Sequence, residues 1–276
     1  MSFFYSYTYP ELIYQHTLSD APDQAAFERH CHDHFEILYV VRGEGRYMVE
    51  SAEYPLRPNT LLLIRPYEFH YVCPQSNCAY ERHVIHFTSE MLSETLLNLP
   101  MMQDTTARGR GVYFSALGLD GEVRSILENL EKSCAIFENS PARRAKEQAM
   151  LAADLTRVLL RLSLSEPERT DVSEDRVIAR VIEYLNLHLE REISLDLLAQ
   201  RFFVSKYYLC HAFRKHTGVS VLTYLNTKRI AMAQKMLENG EPANSVAYQV
   251  GFRNYSSFYR AFIKQTGHAP VYSREC

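Results

Sequence analysis

Apolar positions along the chain change their period twice. Between residues 27 and 88 they fall in short runs, Phe35-Glu-Ile-Leu-Tyr-Val-Val41, Tyr47-Met-Val49, Leu61-Leu-Leu-Ile64 and His83-Val-Ile-His-Phe87, separated by Gly, Pro and Asn. Short strands at such close spacing predict a β-sandwich or barrel. The aromatic start from Phe3 to Tyr9 predicts an edge strand, with a lid over the barrel as the alternative. From Asp120 the period becomes helical. Val123, Ile126, Leu127, Leu130, Cys134 and Phe137 share one face, and beyond Asn139-Ser-Pro141 a second helix is marked by Leu151, Leu155, Val158, Leu159 and Leu162. The pair packs on the barrel or on a second subunit, and its heptad-like spacing leans towards the dimer. The polar stretch from Leu164 to Ser173, broken by Pro167, predicts a linker. Beyond it the chain is helical, cut at Glu192-Ile-Ser194, Phe202-Phe-Val204, Gly218, Asn239-Gly-Glu-Pro242, Gly251 and Gly267.

A chain of 276 residues exceeds most single cores, which predicts more than one domain. The period changes place a β-barrel at 1–119, a helical pair and candidate dimerisation element at 120–163, a linker at 164–175 and an all-α domain at 176–276. The expected class is therefore α+β multidomain. A net charge of −3 argues by itself against a nucleic-acid binder, but it averages two unlike halves. Residues 1–173 carry 16 Lys+Arg against 24 Asp+Glu, whereas residues 174–276 carry 14 against 9, so only the tail is expected to meet phosphate. Six scattered cysteines without zinc-type pairing suit free thiols in a reducing compartment. The start lacks a signal-peptide pattern and no apolar run approaches the roughly 20 residues of a spanning helix, so a cytoplasmic protein without membrane contact is expected.

The tail contains a repeat. Ala199, Leu209 and Phe213-x3-Thr217-Gly218 reappear as Ala247, Phe258 and Phe262-x3-Thr266-Gly267, with the end motifs 49 residues apart. Each copy predicts a short helix, a tight turn and a second helix closed by Gly, a helix-turn-helix. Ser194 and Ser205 stand at cap positions and Pro242 suits a first helical turn. A long helix from about Val221 to Glu238 joins the units.

Gly251-Phe-Arg-Asn-Tyr-Ser-Ser-Phe-Tyr-Arg-Ala-Phe262, with Gly267-x-x-Pro270 and with Ala199, Ser205, Leu209, Phe213, Gly218 and Tyr224-Leu-Asn-x3-Arg229, resembles the signature of the AraC/XylS family of regulators. It departs from that signature at Ile263, at Ala269, and after Pro270, where the closing tyrosine comes one residue early. Helix geometry buries Leu209 and Phe213 on the first recognition helix, leaving Lys206, Tyr207, Cys210, His211 and Arg214 outward. On the second it buries Phe258 and Phe262 and exposes Tyr255, Ser256, Tyr259 and Arg260; Arg253 and Lys264 complete the expected DNA-binding set. The resemblance implies base contacts at Tyr207, Cys210, His211, Tyr255, Ser256, Tyr259 and Arg260. A guanidinium can bridge guanine O6 and N7, which singles out Arg260. Two recognition helices in one chain predict a double-stranded site whose major grooves are one turn, roughly 34 Å, apart.

In the front half, His30-x-His32-x3-Glu36-x6-Gly43 followed by Pro66-x3-His70 resembles the two short cupin motifs, with Asn59 in place of a usual glycine. In metal-binding cupins the three histidines and the carboxylate converge inside the barrel. The favoured expectation is a metal-free polar pocket with no cofactor, lined by His30, His32, Glu36, Arg42, His70, Arg82, Val84 and His86. Cys31, His34 and His83 have the opposite strand parity and are expected at the surface or in packing. Likeness to arabinose-type sensors implies an effector that is a sugar or sugar derivative, held by Arg42, His70, Arg82 and Val84. The resulting expectation is a non-enzymatic activator, homodimeric, acting on DNA with RNA polymerase as a further partner. The alternative is a metal-dependent cupin enzyme, or a metal sensor, with a divalent transition metal at His30, His32, Glu36 and His70.

Overall fold

The strands Phe35–Arg42 and Leu61–Ile64 of the first half are buried on both faces over most of their length, which is why their apolar runs are continuous rather than alternating. The computed structural model describes residues 2–8, 11–50, 52–103, 111–115, 121–135, 141–168 and 176–270. Phe137, residues 169–175 of the expected linker and the closing tyrosine lie outside them. The chain divides into two compact units, Met1–Asp171 and Val172–Cys276.

The first unit runs β1 (Ser2–Thr8), β2 (Leu12–Ser19), β3 (Phe35–Arg42), β4 (Gly45–Val49), β5 (Ala52–Leu56), β6 (Leu61–Ile64), β7 (His70–Pro74), β8 (Tyr80–Phe87), α1 (Glu94–Leu97), β9 (Val112–Phe114), α2 (Gly121–Ala135) and α3 (Pro141–Leu164). A six-stranded sheet has the order β1-β2-β8-β3-β6-β9, and a three-stranded sheet the order β5-β4-β7. The aromatic start is thus the edge strand, paired antiparallel with β2. Leu38, Val40, Leu62, Ile64 and Tyr80 of the large sheet pack with Tyr47, Val49, Tyr54, Leu56 and Val72 of the small one. Residues of opposite parity, Ile37, Tyr39, Leu61, Leu63, Ile85 and Phe87, face the other way and form a second core with the helices.

That second core corrects the leaning towards a dimer seam. Val123, Ile126, Leu127 and Leu130 of α2, and Leu151, Leu155, Val158, Leu159 and Leu162 of α3, are all buried in it against the chain's own sheet. Each such side chain contributes about 1.5–3 kcal/mol through burial, more than an exposed pair of stripes can gain while waiting for a partner. Pro141 begins α3, where its missing N–H costs nothing. Asn59 adopts φ 62°, a left-handed conformation that explains a usual glycine and that Asn tolerates. Its side chain also accepts a hydrogen bond from the Tyr39 hydroxyl at 2.8 Å.

The second unit is helical: α4 (Arg176–Leu187), α5 (Leu195–Arg201), α6 (Lys206–Thr217), α7 (Val221–Glu238), α8 (Ala243–Gln249) and α9 (Tyr255–Thr266). Caps define its boundaries. Ser194, Ser205, Ser220 and Asn254 each accept a backbone N–H from the first turn, whereas Pro242 stands one position earlier than a first-turn residue, as an N-cap without a side-chain bond. α7 is buried on more than one side. Tyr224 meets Phe213 edge-on and donates to Asn186, while Ile230, Ala233 and Leu237 join Phe258 and Phe262 in one cluster. Arg229 donates to the carbonyls of Leu189 and Arg191 at 2.8 and 2.6 Å and lies against Gly251. Gly251 has φ 93°, and a Cβ there would stand 2.5 Å from the Leu189 carbonyl, so no other residue fits without displacing backbone.

Candidate effector pocket and nucleic-acid interface

The first site is a convergence on Glu36. Cross-strand register sets Glu36 of β3 opposite His86 of β8, and His86 Nε2 lies 2.9 Å from Glu36 Oε2. His30 and His70 are a backbone-paired bridge, with reciprocal N–H to carbonyl bonds of 3.1 and 2.9 Å. His32 precedes β3 and reaches the same Oε2 at 3.0 Å, and His70, carried by the small sheet, approaches it to 3.4 Å. Tyr47, from the small sheet as well, donates to Oε1 at 3.2 Å. The site therefore joins the two sheets. Burial raises the pKa of the Glu36 carboxyl, but the charge of His70 and hydrogen bonds with His32, His70 and His86 outweigh it and hold it well below the usual range. For His70, burial disfavours the charged form and the Glu36 carboxylate reverses the balance, leaving a raised pKa.

Beside this cluster lies a cavity of about 510 Å³. Its wall includes His30, Glu36, Arg82, Val84 and His86, five of the eight residues the sequence assigned to it. His32 and His70 stand behind that wall through Glu36. Arg42 is not part of it. The register of β3 against β8 shifts between Val40 and Arg42, so the parity argument fails one residue short and Arg42 is exposed. Sequence reasoning missed Phe27, Arg29, Tyr47, Tyr71 and Tyr80 in the wall. Tyr80 shares parity with Arg82, Val84 and His86 and was legible on that basis; Phe27 and Arg29 precede the first motif and carry no periodic signal. The Arg82 guanidinium lies over the Tyr80 ring at 4.5 Å and the Phe27 ring at 5.2 Å, which holds a cation in a largely apolar wall. His83 lies on the opposite face, stacked on His16 and bonded to the Tyr14 hydroxyl at 2.7 Å. Burial, with His16 adding to it, lowers its pKa to about 3.

The second site is a pair of helix faces built on one repeated plan. In each unit the turn residues after the first helix make the same two bonds: Phe203 and Val204 to the carbonyls of Gln200 and Ala199, Gly251 and Phe252 to those of Tyr248 and Ala247. Each second helix buries its pair, Leu209 with Phe213 and Phe258 with Phe262, and ends at a Gly with φ 79°. The threonine before that Gly sets its hydroxyl between the carbonyls four residues back and two ahead, which accounts for the repeated Thr-Gly. The units differ in two ways. The second turn is one residue longer, and at the shared left-handed position the first unit places Phe203, with φ 56°, where the second has Gly251.

Of the expected reading residues, Lys206, Tyr207, Cys210, His211 and Arg214 on α6 are all exposed, as are Ser256, Tyr259, Arg260 and Lys264 on α9 and Arg253 before it. Tyr255 is half-buried and packs on the α9 core, so its ring is shared between scaffold and face. Lys206 pairs with Asp196 at 2.6 Å and Arg253 with Glu192, which sets carboxylates in competition with any phosphate at those two positions. Tyr207 and His211 stack with rings 6.0 Å apart and 8° from parallel. Phe203, 95% exposed beside α6, had no sequence signal. Among the described residues no helix is long and apolar enough to cross a membrane.

Residues 13–160 match the family of AraC-like ligand binding domains, and residues 198–275 match a helix-turn-helix domain. YbfI of Bacillus subtilis, an HTH-type transcriptional regulator, is 27% identical over 234 residues, covering 83% of this chain and 80% of its own. RhaR of Enterobacter sp., an HTH-type transcriptional activator, is 25% identical over 257 residues, covering 92% and 89%. The solved DNA-binding domain of AdpA, in complex with a target DNA, is 31% identical over 33% of this chain and 84% of its own, with a TM-score of 0.32. A β-sheet unit carrying a polar pocket, followed by a helical unit with two capped helix-turn-helix repeats, is the build of one family, and the chain belongs to it: it is an AraC-family transcriptional regulator, not an enzyme.

Proposed function

We propose that the chain is a transcription activator that reads an asymmetric DNA site with α6 and α9 and answers to a small polar effector, a sugar or sugar derivative, taken up in the cavity beside Glu36. The observation that carries the DNA reading is the pairing of two exposed polar faces on one repeated scaffold. On α6 the readers are Tyr207, Cys210, His211 and Arg214, with Lys206 on phosphate; on α9 they are Ser256, Tyr259 and Arg260, with Tyr255, Arg253 and Lys264 beside them. Arg260 is the main base reader, because a guanidinium can engage guanine bidentately. Activation is supported by relatives named as activators, and RNA polymerase is the partner that such an activity would engage.

The effector reading rests on the mixture in the cavity wall, where Arg29 and Arg82 stand among Phe27, Tyr71 and Tyr80. Hydroxyls and carboxylates suit the guanidinium groups, and ring faces suit the apolar side of a sugar. Binding there biases the chain between states of different DNA affinity, by an amount equal to the effector's own preference for one state. A homodimer is proposed through the outer side of α3, where Met150, Leu160 and Leu164 are 50%, 45% and 81% exposed after the inner side has been spent on the sheet.

The test is a mobility-shift titration of the full chain on its own upstream region, at several salt concentrations, with and without candidate sugars and sugar acids first ranked by thermal shift. Sequence-selective, salt-sensitive retardation that changes with one compound is expected. Retardation that is equal on unrelated DNA would sink the DNA reading; indifference to every compound that raises Tm would sink the coupling.

A further inference from the structure

We propose that Arg229 of α7 is a positioning residue that locks the second helix-turn-helix repeat onto the first, so that α6 and α9 stand at one separation and the chain accepts one spacing between two DNA half-sites. This lock builds on the reading in which both helices address one DNA molecule. α7 by itself does not fix their separation. Its 18 residues form a rod of roughly 27 Å, and each repeat packs on a different stretch of it. Phe213 meets Tyr224 near the start, whereas Phe258 and Phe262 cluster with Ile230, Ala233 and Leu237 further on. Repeats that share only a rod can still pivot about it, and a direct attachment between them removes that freedom.

Arg229 supplies that attachment. One side of the joint is the non-helical stretch between α4 and α5, which leads into the first repeat and whose carbonyls have no helical partners. Arg229 Nε donates to the Leu189 carbonyl at 2.8 Å and Nη2 to the Arg191 carbonyl at 2.6 Å, across 40 and 38 residues. The other side is the turn before α9. A Cβ on Gly251 would stand 2.8 Å from Arg229 Nη2 as well as 2.5 Å from the Leu189 carbonyl, and the guanidinium carbon lies 5.6 Å from the centre of the Phe252 ring. Glu192, from the same stretch, pairs with Arg253 of the same turn, an exposed contact that adds little free energy but follows the same line.

Burial and the contrast between the repeats both single out this joint. Arg229 is only 6% exposed. Taking a guanidinium out of water carries a desolvation penalty that an apolar side chain would not incur, and the two carbonyl bonds offset it. Water could satisfy the same carbonyls in an open connection, but it would join nothing. The repeats differ where the joint sits. At the shared left-handed position the second repeat has Gly251, with Leu189 and Arg229 pressed against it, and the first has Phe203, 95% exposed. The first turn therefore tolerates a large side chain in the same conformation. Glycine is required in the second by the close approach of the connection and Arg229, not by the turn itself.

The experiment uses the full chain and a duplex that it enriches from random sequence, rebuilt with one, two or three base pairs inserted between the half-sites. Each inserted pair moves one half-site by about 3.4 Å and turns it by about 35° relative to the other, which a locked pair of helices cannot follow. Scrambling each half-site in turn checks the DNA reading by itself; if only one scramble lowers affinity, that reading fails and the lock with it. With both halves read, the wild type should lose about 10–100-fold on a single insertion, close to the loss from scrambling one half. Arg229→Lys keeps the charge but not the fork that spans two carbonyls, and Arg229→Met keeps neither, so the loss on insertion should shrink in the first and shrink further in the second. Arg191→Ala leaves the accepting carbonyl in place and should keep the wild-type ratio between spacings. A purely structural role for Arg229 would lower Tm and weaken all sites alike without moving that ratio. Circular dichroism and melting establish which variants are folded. Equal wild-type affinity for the native and lengthened sites, with both halves read, overturns the lock and leaves the DNA reading intact. So does a wild-type ratio in folded Arg229→Met or, where that variant does not fold, in Arg229→Lys.

Discussion

In the first unit, the side chains of the candidate site come from both sheets and from the segment before β3, and they meet only because strand register brings Glu36 opposite His86 and His30 opposite His70. In the second unit, each candidate face belongs to a single helix, and the spacing of Leu209 with Phe213, or Phe258 with Phe262, already dictates which residues point outward. One site is buried and rich in charge that must be compensated internally; the other is exposed and adjusts its charges in water. The difference teaches what each can tolerate. A pocket residue answers to several neighbours at once, so changing it disturbs fold and function together. An exposed reading residue on a capped helix has fewer neighbours to satisfy and answers mainly to its ligand.

The largest expected effect lies in the tail's scaffold. Phe258→Ala should remove about 3–5 kcal/mol from the second unit, because Phe258 is fully buried among Phe252, Phe262 and the α7 cluster. Calorimetry of the full chain should show one transition displaced and the other retained; a common displacement would mean that the two units unfold as one. Next, Arg260→Ala should weaken binding to the preferred site by about 1–3 kcal/mol with little change in melting, since the side chain is exposed. An affinity loss that is equal on all DNA sequences would make Arg260 a phosphate contact and leave the reading face without its principal base contact.

Acid should act on the other unit. His83 carries a pKa of about 3 in the fold against an ordinary 6.5, so the unfolded chain binds the extra proton first as pH falls. Its contribution is complete above about pH 6.5 and is lost progressively towards pH 3, the loss reaching about 2 kcal/mol at pH 5. His83→Gln keeps an acceptor for the Tyr14 hydroxyl but does not titrate, and the fall in the first unit's melting temperature from pH 7 to pH 5 should flatten. An unchanged slope would place the acid sensitivity elsewhere. The smallest effect compares the two repeats directly. Phe203 occupies the left-handed position that Gly251 fills in the second copy, and Phe203→Gly should stabilise the second unit by up to about 1 kcal/mol. A loss in DNA binding alongside that gain would give the exposed ring a part in the interface.

Much of the tail was legible from the chain alone. The repeat of Thr217-Gly218 and Thr266-Gly267, the capping serines and the span of α7 are consequences of interactions between residues a few positions apart, and such interactions are written locally. The central strands of the first half, β3 and β6, were legible too, since burial on both faces leaves continuous apolar runs. Parity correctly put Arg82, Val84 and His86 on one side of β8 and His83 on the other, and it failed for Arg42, where a register shift intervenes that no alternation pattern announces.

What only the tertiary structure decided is where long-range partners meet. The stripes of α2 and α3 suited a subunit seam or a core, with a slight lean towards the seam, and they went to the core because the outer face of the large sheet presents Ile37, Tyr39, Leu61, Leu63 and Ile85, a surface that has to be covered. The spacing of His30, His32, Glu36 and His70 named four groups able to converge. It did not reveal that three Nδ1 atoms are tied to carbonyls and that His86 and Tyr47 hold the carboxylate from either side. The Nδ1 bonds are local, but those that hold the carboxylate reach across 11 residues to Tyr47 and 50 to His86, and distance along a chain carries no orientation until packing supplies it.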